Sequence, residues 1–147
     1  MKASDRIKEL IKGFEGCRLT AYRCPGGVLT IGYGHTGSDV TPGLAISQQT
    51  ADELFNKDLA RVEDELQRWM HIDDVPRLTQ GQYDALVSFA YNLGVPRLRS
   101  STLWRKVIMC PSDPSVAAEF IRWVNAGGKR MPGLVRRREQ EARIYNE

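Results

Sequence analysis

Four side chains that can take part in chemistry lie close together near the N-terminus. Glu15, Cys24, Thr30 and His35 fall within 21 residues, in the segment EGCRLTAYRCPGGVLTIGYGHT. Cleavage of a glycoside needs a carboxylic acid that protonates the leaving oxygen and a second group that handles water or the anomeric carbon. The spacing Glu-x8-Cys-x5-Thr is compatible with this chemistry, but it is too permissive to assign it.

The elements around this segment follow from hydrophobic periodicity and from turn residues. Apolar residues at i, i+3, i+4 and i+7 behind Ser4 predict a capped helix that ends near Glu15. Two short strands, around 18–23 and 28–33, are predicted with the Cys-Pro-Gly-Gly sequence as their turn. The hairpin folds back beside the helix end, which would bring the glutamate, the cysteine and the threonine together.

The remaining hundred or so residues are predicted to be mainly helical. Ser47 caps a helix that reaches about residue 70, and Thr79-x-x-Gln82 is a capping box before a helix that is apolar nearly all round. Gly94 ends that helix. Three further helices are predicted, from Ser101 to about 110, from Pro114 through Trp123, and from Pro132 to Tyr145.

With one small sheet near the N-terminus, the predicted fold class is α+β. We expect a single domain over residues 1–147 with an N-terminal lobe at 1–46, a connecting helix at 47–70 and a helical lobe at 71–147. A chain of this length can bury a core of its own.

Composition excludes several classes of protein. No run of about 18 apolar residues could span a bilayer, and the N-terminal MKASDRIKELIKGF contains no apolar core of a signal peptide. We therefore expect accumulation in the cytoplasm. Three cysteines (Cys17, Cys24 and Cys110) without CxxC spacing and two histidines (His35 and His71) argue against a disulfide framework and against a zinc site.

Charge is segregated along the chain. The net charge is +3, but residues 93–147 carry eleven Lys and Arg against five Asp and Glu, whereas residues 51–92 carry four against nine. Such a basic region favours a polyanionic partner such as nucleic acid, an anionic membrane or the bacterial cell wall. A solvated basic face explains the charge equally well.

The segment EGCRLTAYRCPGGVLTIGYGHTG closely resembles the catalytic segment of phage-type lysozymes, glycoside hydrolase family 24, the muramidases of T-even and lambdoid phages. Later blocks also resemble this family, in order and near the expected spacing: LFNKD, QYDALVSFAYNLG, STLWRKV and RWVNAGGKRMPGLVRRREQE. Nearly the whole chain is covered. The resemblance implies a lysozyme-like fold with two lobes and a substrate cleft between them.

The resemblance also implies roles for the first segment. Glu15 matches the general acid, and Thr30 matches the threonine that positions the attacking water. Cys24 stands where most members carry an aspartate. Its thiolate could attack the anomeric carbon or assist water if a positive charge such as Arg23 lowers its pKa, or the residue could be a spectator in a weakened enzyme. His35 with Asp58 matches a structural ion pair.

Residues of the helical lobe match blocks that line the sugar cleft in relatives. These candidate substrate-binding residues are Asn92, Ser101, Trp123 and Asn125, although each is equally compatible with a place in the core or a helix cap. One arginine of 136–138 matches a family arginine that approaches the catalytic glutamate.

The function implied is hydrolysis of the β-1,4 bond from N-acetylmuramic acid to N-acetylglucosamine, without metal or organic cofactor. The chain would act on peptidoglycan as an endolysin, as a monomer, and would need a holin to leave the host cytoplasm. A lytic transglycosylase and a degenerate module that binds the wall without cutting it remain alternatives. Nucleic-acid binding finds little support, because no helix has the base-reading pattern of a known module.

Overall fold

The computed structural model describes all residues from Met1 to Glu147. In chain order the elements are α1 (Asp5–Glu15), β1 (Arg18–Arg23), β2 (Leu29–Gly32), β3 (His35–Thr36), α2 (Gln48–Ile72), α3 (Gln80–Leu93), α4 (Val95–Arg99), α5 (Thr102–Met109), α6 (Ser115–Phe120), β4 (Asn125–Ala126), β5 (Lys129–Arg130) and α7 (Pro132–Tyr145). The predicted α+β class, mainly α, is confirmed.

The chain divides into two compact units. One is continuous in sequence, Glu9–Arg61, and is called the hairpin unit here. The other, the helical unit, combines Met1–Lys8 with Val62–Glu147. Both α1 and α2 therefore contribute residues to each unit.

The hairpin unit contains an antiparallel sheet in the order β1-β2-β3. Tyr22 pairs with Thr30 across β1 and β2, and the turn between them closes through a 2.8 Å hydrogen bond from the Gly27 N–H to the Cys24 carbonyl. Gly27 has a φ of +81°, a conformation that glycine adopts without strain. The first two strands agree with the prediction, whereas the two-residue β3 was not predicted because so short a strand leaves no alternating pattern.

The second helix begins as the sequence predicts. The Ser47 hydroxyl accepts a 3.1 Å hydrogen bond from the Thr50 N–H, and α2 then runs for 25 residues. Within the hairpin unit its apolar stripe is fully buried at Ala51, Phe55 and Leu59. Ala51 lies against Gly32 of β2, so this stripe contributes to the core of the hairpin unit.

The helical unit is built around α3. Its capping box is present, with the Thr79 hydroxyl accepting from the Gln82 N–H and the Gln82 side chain accepting from the Thr79 N–H. Every residue from 82 to 90 is buried, which matches a helix that is apolar nearly all round. The helix packs against α4 and α7.

The N-terminal residues belong to the helical unit. Ser4 caps α1 by accepting from the Ile7 N–H at 3.2 Å, and its own hydroxyl donates to Asp84 on α3 at 2.5 Å. The Ala3 N–H donates to Glu63 at 2.6 Å, and an Arg6 guanidinium N–H donates to Glu147 at 2.9 Å. These contacts join the start of the chain to α2, to α3 and to the residues behind α7.

Two predictions in the last third of the chain were wrong. The helix predicted through Trp123 ends at Phe120, and the NAGG segment is a hairpin, β4–β5, rather than a simple break. Gly127 and Gly128 have φ values of +59° and +76°, so the pair forms the tight turn that such a hairpin needs. The short helix α4 was also missed. The final helix, Pro132–Tyr145, has the predicted bounds.

No helix is long and apolar enough to cross a bilayer.

Candidate active site

Glu15 is the last residue of α1. The next residue, Gly16, has a φ of +68°, and its N–H bonds to the Lys12 carbonyl at 2.9 Å, which closes the last turn. The chain then leaves directly into β1. Glu15 is partly buried at this junction, and its place at the helix end agrees with the prediction.

A glycine that sequence reasoning did not assign lies against this carboxylate. Gly34, between β2 and β3, has a φ of +79°, and a Cβ atom built on it would lie 2.7 Å from Glu15 Oε1. Real Cβ atoms do not come this close to a neighbouring atom. Any other residue would force the Glu15 carboxylate or the loop to shift and would be strained at this φ, so the position favours glycine and the backbone at Gly34 lies against one side of the carboxylate. The only sequence feature that could have indicated this contact is the pair of closely spaced glycines in IGYGH.

Tyr33, the residue before this glycine, is held by a cluster on α1 and α2. The Lys12 ammonium lies 5.4 Å from the centre of the Tyr33 ring and 5.1 Å from that of Phe55, and 3.8 Å from an Asp52 oxygen. The Gln48 amide donates to the Tyr33 hydroxyl at 3.1 Å. This combination of cation–π and hydrogen-bonding contacts fixes the loop that carries Gly34.

Cys24 begins the β1–β2 turn and is partly buried. Hydrogen bonds from the backbone N–H groups of Val28 and Gly26 stabilise its thiolate and lower the pKa of Cys24, with a further contribution from the Thr30 hydroxyl. Desolvation acts in the opposite direction but is the weaker effect. The expected cause was different: the Arg23 guanidinium donates to the Gly27 carbonyl at 2.8 Å instead.

Thr30 and Cys24 are neighbours on one face of the hairpin. Because Thr30 pairs with Tyr22, the cysteine two residues further on lies diagonally across from it. The Thr30 side chain is buried, and its hydroxyl donates to the Val28 carbonyl at 3.0 Å. The structure thus places a thiol of lowered pKa next to the Thr30 hydroxyl on one face of the hairpin.

His35 lies between two carboxylates. Its Nδ1 is 2.8 Å from Asp58 Oδ2 on α2, and its Nε2 is 2.9 Å from Asp39 Oδ2. Burial of the ring opposes protonation, but the hydrogen bonds to Asp58 and Asp39 outweigh it and raise the pKa of His35. The contact ties β3 to α2. Asp39 was missed because its loop position gives no periodic signal.

The candidate substrate-binding residues of the helical unit have structural contacts of their own. The Ser101 hydroxyl caps α5 by accepting from the Trp104 N–H at 3.0 Å and donates to the Leu98 carbonyl at 2.6 Å. Trp123 packs edge-on against Phe89, with ring centres 5.6 Å apart. Their sugar-binding roles remain predictions.

The other two candidates differ in their surroundings. Asn92 accepts a hydrogen bond from Arg138, and Asn125 is exposed on β4. The three consecutive arginines on α7 also differ in burial. Arg136 is exposed, whereas Arg137 and Arg138 are buried and both contact the buried Glu141. That one of these three arginines approaches Glu15 remains a prediction.

No group of three or more His, Cys, Asp or Glu side chains is arranged to hold a metal ion.

Comparison with known proteins places this fold among the lysozyme-like α+β proteins. The solved muramidase domain of SpmX from Asticaccaulis excentricus is 34% identical, with a TM-score of 0.84 over 98% of this chain and 97% of that one. A solved mutant of P22 lysozyme is 33% identical, with a TM-score of 0.79 over 100% of this chain and 99% of that one.

A sequence profile of the phage lysozyme family matches residues 12–141. The chain belongs to the phage lysozyme family. The endolysin of Bacillus phage B103 is 44% identical over 147 residues, which cover 99% of this chain and 54% of that protein. The chain thus spans about half the length of the curated Bacillus phage relatives that it matches.

Proposed function

We propose that this chain is a peptidoglycan-cleaving glycosidase that hydrolyses the β-1,4 bond between N-acetylmuramic acid and N-acetylglucosamine. The observation that carries the proposal is the construction of the hairpin unit. It holds Glu15 at a helix end against Gly34 and pairs Cys24 with Thr30 on one strand face. Family membership supports the same reaction.

In the proposed mechanism Glu15 is the general acid and protonates the glycosidic oxygen as the bond breaks. The transition state has oxocarbenium character, so a negative group near the anomeric carbon stabilises it. The lowered pKa of Cys24 supports a thiolate in the role that most relatives give to an aspartate. Thr30, which lies next to this thiol on the same face of the hairpin, orients the attacking water.

The thiolate has two possible routes, and they differ in stereochemistry. Direct attack by Cys24 on the anomeric carbon forms a carbon–sulfur bond as the protonated oxygen leaves, and water then displaces the thiolate, which gives net retention. Activation of water by the thiolate gives inversion in one step. The anomer formed first, followed by NMR, distinguishes the two routes.

We propose that Asn92, Ser101, Trp123 and Asn125 of the helical unit bind substrate. The biological role proposed is host cell lysis by an endolysin that accumulates in the host cytoplasm and reaches the wall through a holin lesion. The basic region 93–147 supports attraction to the anionic wall. We propose that the free protein is a monomer.

The experiment is digestion of purified peptidoglycan by the parent protein and by Glu15→Gln. The parent should clear the wall suspension and release reducing ends, and the variant should lose at least 100-fold in rate because it has no acid to donate. Equal clearing by both proteins would reject the enzyme proposal. Mass spectrometry of the products tests the alternative reaction, since 1,6-anhydro ends identify a lytic transglycosylase.

Cys24 is tested by three substitutions in the same assay. Cys24→Asp should be active, because it restores a negative group at the same position. Cys24→Ser keeps the size but removes the readily ionised group, and Cys24→Ala removes both, so their rates should fall steeply. Full activity of Cys24→Ala would remove this residue from the mechanism.

A further inference from the structure

A groove with a volume of about 480 Å³ opens on the helical unit and contains none of the predicted site residues. Its size lies within the range of about 300–1,000 Å³ that is usual for small-ligand sites. Side chains on or directly after α2, α4 and α5 line it, among them Glu65, Trp69, Asp73, Arg99, Trp104 and Arg105.

One guanidinium in this groove is held rigidly. The Arg99 group stacks on the Trp69 ring at 3.5 Å from its centre, and its Nε and Nη2 atoms donate to the two Asp73 oxygens at 3.0 Å each. Asp73 is fixed in turn by the Trp104 indole N–H, which donates at 2.9 Å. A guanidinium has five N–H donors, so the remaining ones on Arg99, whose side chain is 40% exposed, are available to a ligand in fixed positions.

The charges of the groove limit the kind of ligand that it can bind. Arg99 and Arg105 are balanced by Asp73 and Glu65, so the lining is formally neutral. A neutral lining gives a polyanion such as a nucleic acid no overall attraction, whereas it suits a ligand that carries both charges. Arg105 is exposed at the rim, and its Nη2 donates to the Thr102 hydroxyl at 2.9 Å, which leaves other donors for a carboxylate.

The two indoles offer little for the stacking of a sugar ring. Trp104 is only 2% exposed, and the Trp69 ring already carries the Arg99 guanidinium. A peptide does not need an open aromatic face. Its carboxylate can accept two parallel hydrogen bonds from the Arg99 guanidinium. Its ammonium can pair with Glu65, which is only partly buried.

We propose that this groove is a second binding site, which takes a short peptide with a free carboxylate and a free ammonium group. The peptide part of the bacterial wall has this chemistry, and that identification rests on the proposed function. The groove would hold the wall through its peptides while the hairpin unit acts on its glycan.

The test is a titration of the full chain with the tripeptide Ala-Ala-Ala, followed by NMR at the indole N–H signals of Trp69 and Trp104. The free tripeptide should shift both signals and saturate. Its C-terminal amide and its N-acetyl form should each bind about tenfold more weakly, because each loses one charge-assisted hydrogen bond. No saturation with the free tripeptide, or equal binding of the capped forms, overturns the proposal.

Two arginine variants provide a matched pair. Arg105→Gln should weaken tripeptide binding about tenfold. Arg97→Gln, an exposed arginine on α4 outside the groove, should leave binding unchanged. Equal effects of the two variants contradict the proposal, as does saturation by chitotriose or by inorganic phosphate in place of the tripeptide.

The outcome is independent of the proposed catalysis. Glu15→Gln should bind the tripeptide as the parent does, even though it should not clear the wall. Loss of tripeptide binding with normal wall clearing would reject the groove alone, and the opposite result would reject the enzyme alone.

Discussion

Gly34→Ala should disable the protein in a way that separates positioning from stability. The new Cβ would lie 2.7 Å from Glu15 Oε1, whereas ordinary contacts begin at 3.4 Å. The carboxylate or the loop must therefore move by roughly 0.7 Å, the difference of these two distances. A misplacement of about 1 Å can cost about 100-fold in rate. We therefore expect the rate of wall clearing to fall by roughly 10- to 100-fold.

The same substitution also strains the backbone, and a control must account for this. Alanine at a φ of +79° costs on the order of 1–3 kcal/mol of stability. Gly43 has the same φ of +79°, but nothing lies within 4 Å of a Cβ built there. Gly43→Ala should therefore lose similar stability in urea unfolding and keep its activity.

Comparing Gly34→Ala with Gly43→Ala separates the loss of Glu15 positioning from the loss of stability. Activity is measured well below each unfolding midpoint, so that the fraction of folded protein does not differ. Equal activity of Gly34→Ala and Gly43→Ala would refute the conclusion that the glycine positions Glu15. Unequal activity with equal stability would support it.

Three further predictions concern other contacts. The pKa of His35 is raised above its ordinary 6.5, so the folded state binds the His35 proton more tightly than the unfolded state does. The stability lost in His35→Gln should therefore be largest near pH 6 and shrink as the pH rises through the folded-state pKa. A loss of stability that grows with pH in urea unfolding would contradict this prediction. Iodoacetamide, followed by mass spectrometry against pH, should alkylate Cys24 with a midpoint below that of an ordinary thiol, and Thr30→Val should move the midpoint upward. Ser101→Ala should lower the free energy of unfolding by about 1 kcal/mol through loss of the α5 cap, and an unchanged value would mean that the cap contributes nothing.

Much of the fold could be predicted because local signals agree with the final packing. The Thr79 capping box, the Pro-Gly-Gly turn and the proline at the start of α7 each identify one boundary from a few residues. The errors occurred where a short element depends on its surroundings. The β4–β5 hairpin, the two-residue β3 and the five-residue α4 are too brief for periodicity to reveal them.

The candidate site was only partly accessible from the sequence. The resemblance predicts catalytic roles for Glu15, Cys24 and Thr30, and these roles stay predictions, whereas the structure does contain the contact of His35 with Asp58. Gly34 and Asp39 were missed because their importance arises from atoms that approach only after folding. The expected cause of the lowered Cys24 pKa was wrong for the same reason, because a sequence does not show which backbone N–H groups approach the thiol after folding.

The helical unit is interrupted in sequence by the hairpin unit, and this has a consequence for biosynthesis. On the ribosome, Glu9–Arg61 can fold once residue 61 has been made, because this unit is continuous in sequence. The first eight residues must wait, since their partners include Asp84 on α3 and Glu147 behind α7. Until α3 and the residues behind α7 are made, these contacts cannot form, so a pause in translation before α7 would leave the first eight residues without them and the nascent chain open to chaperones and proteases.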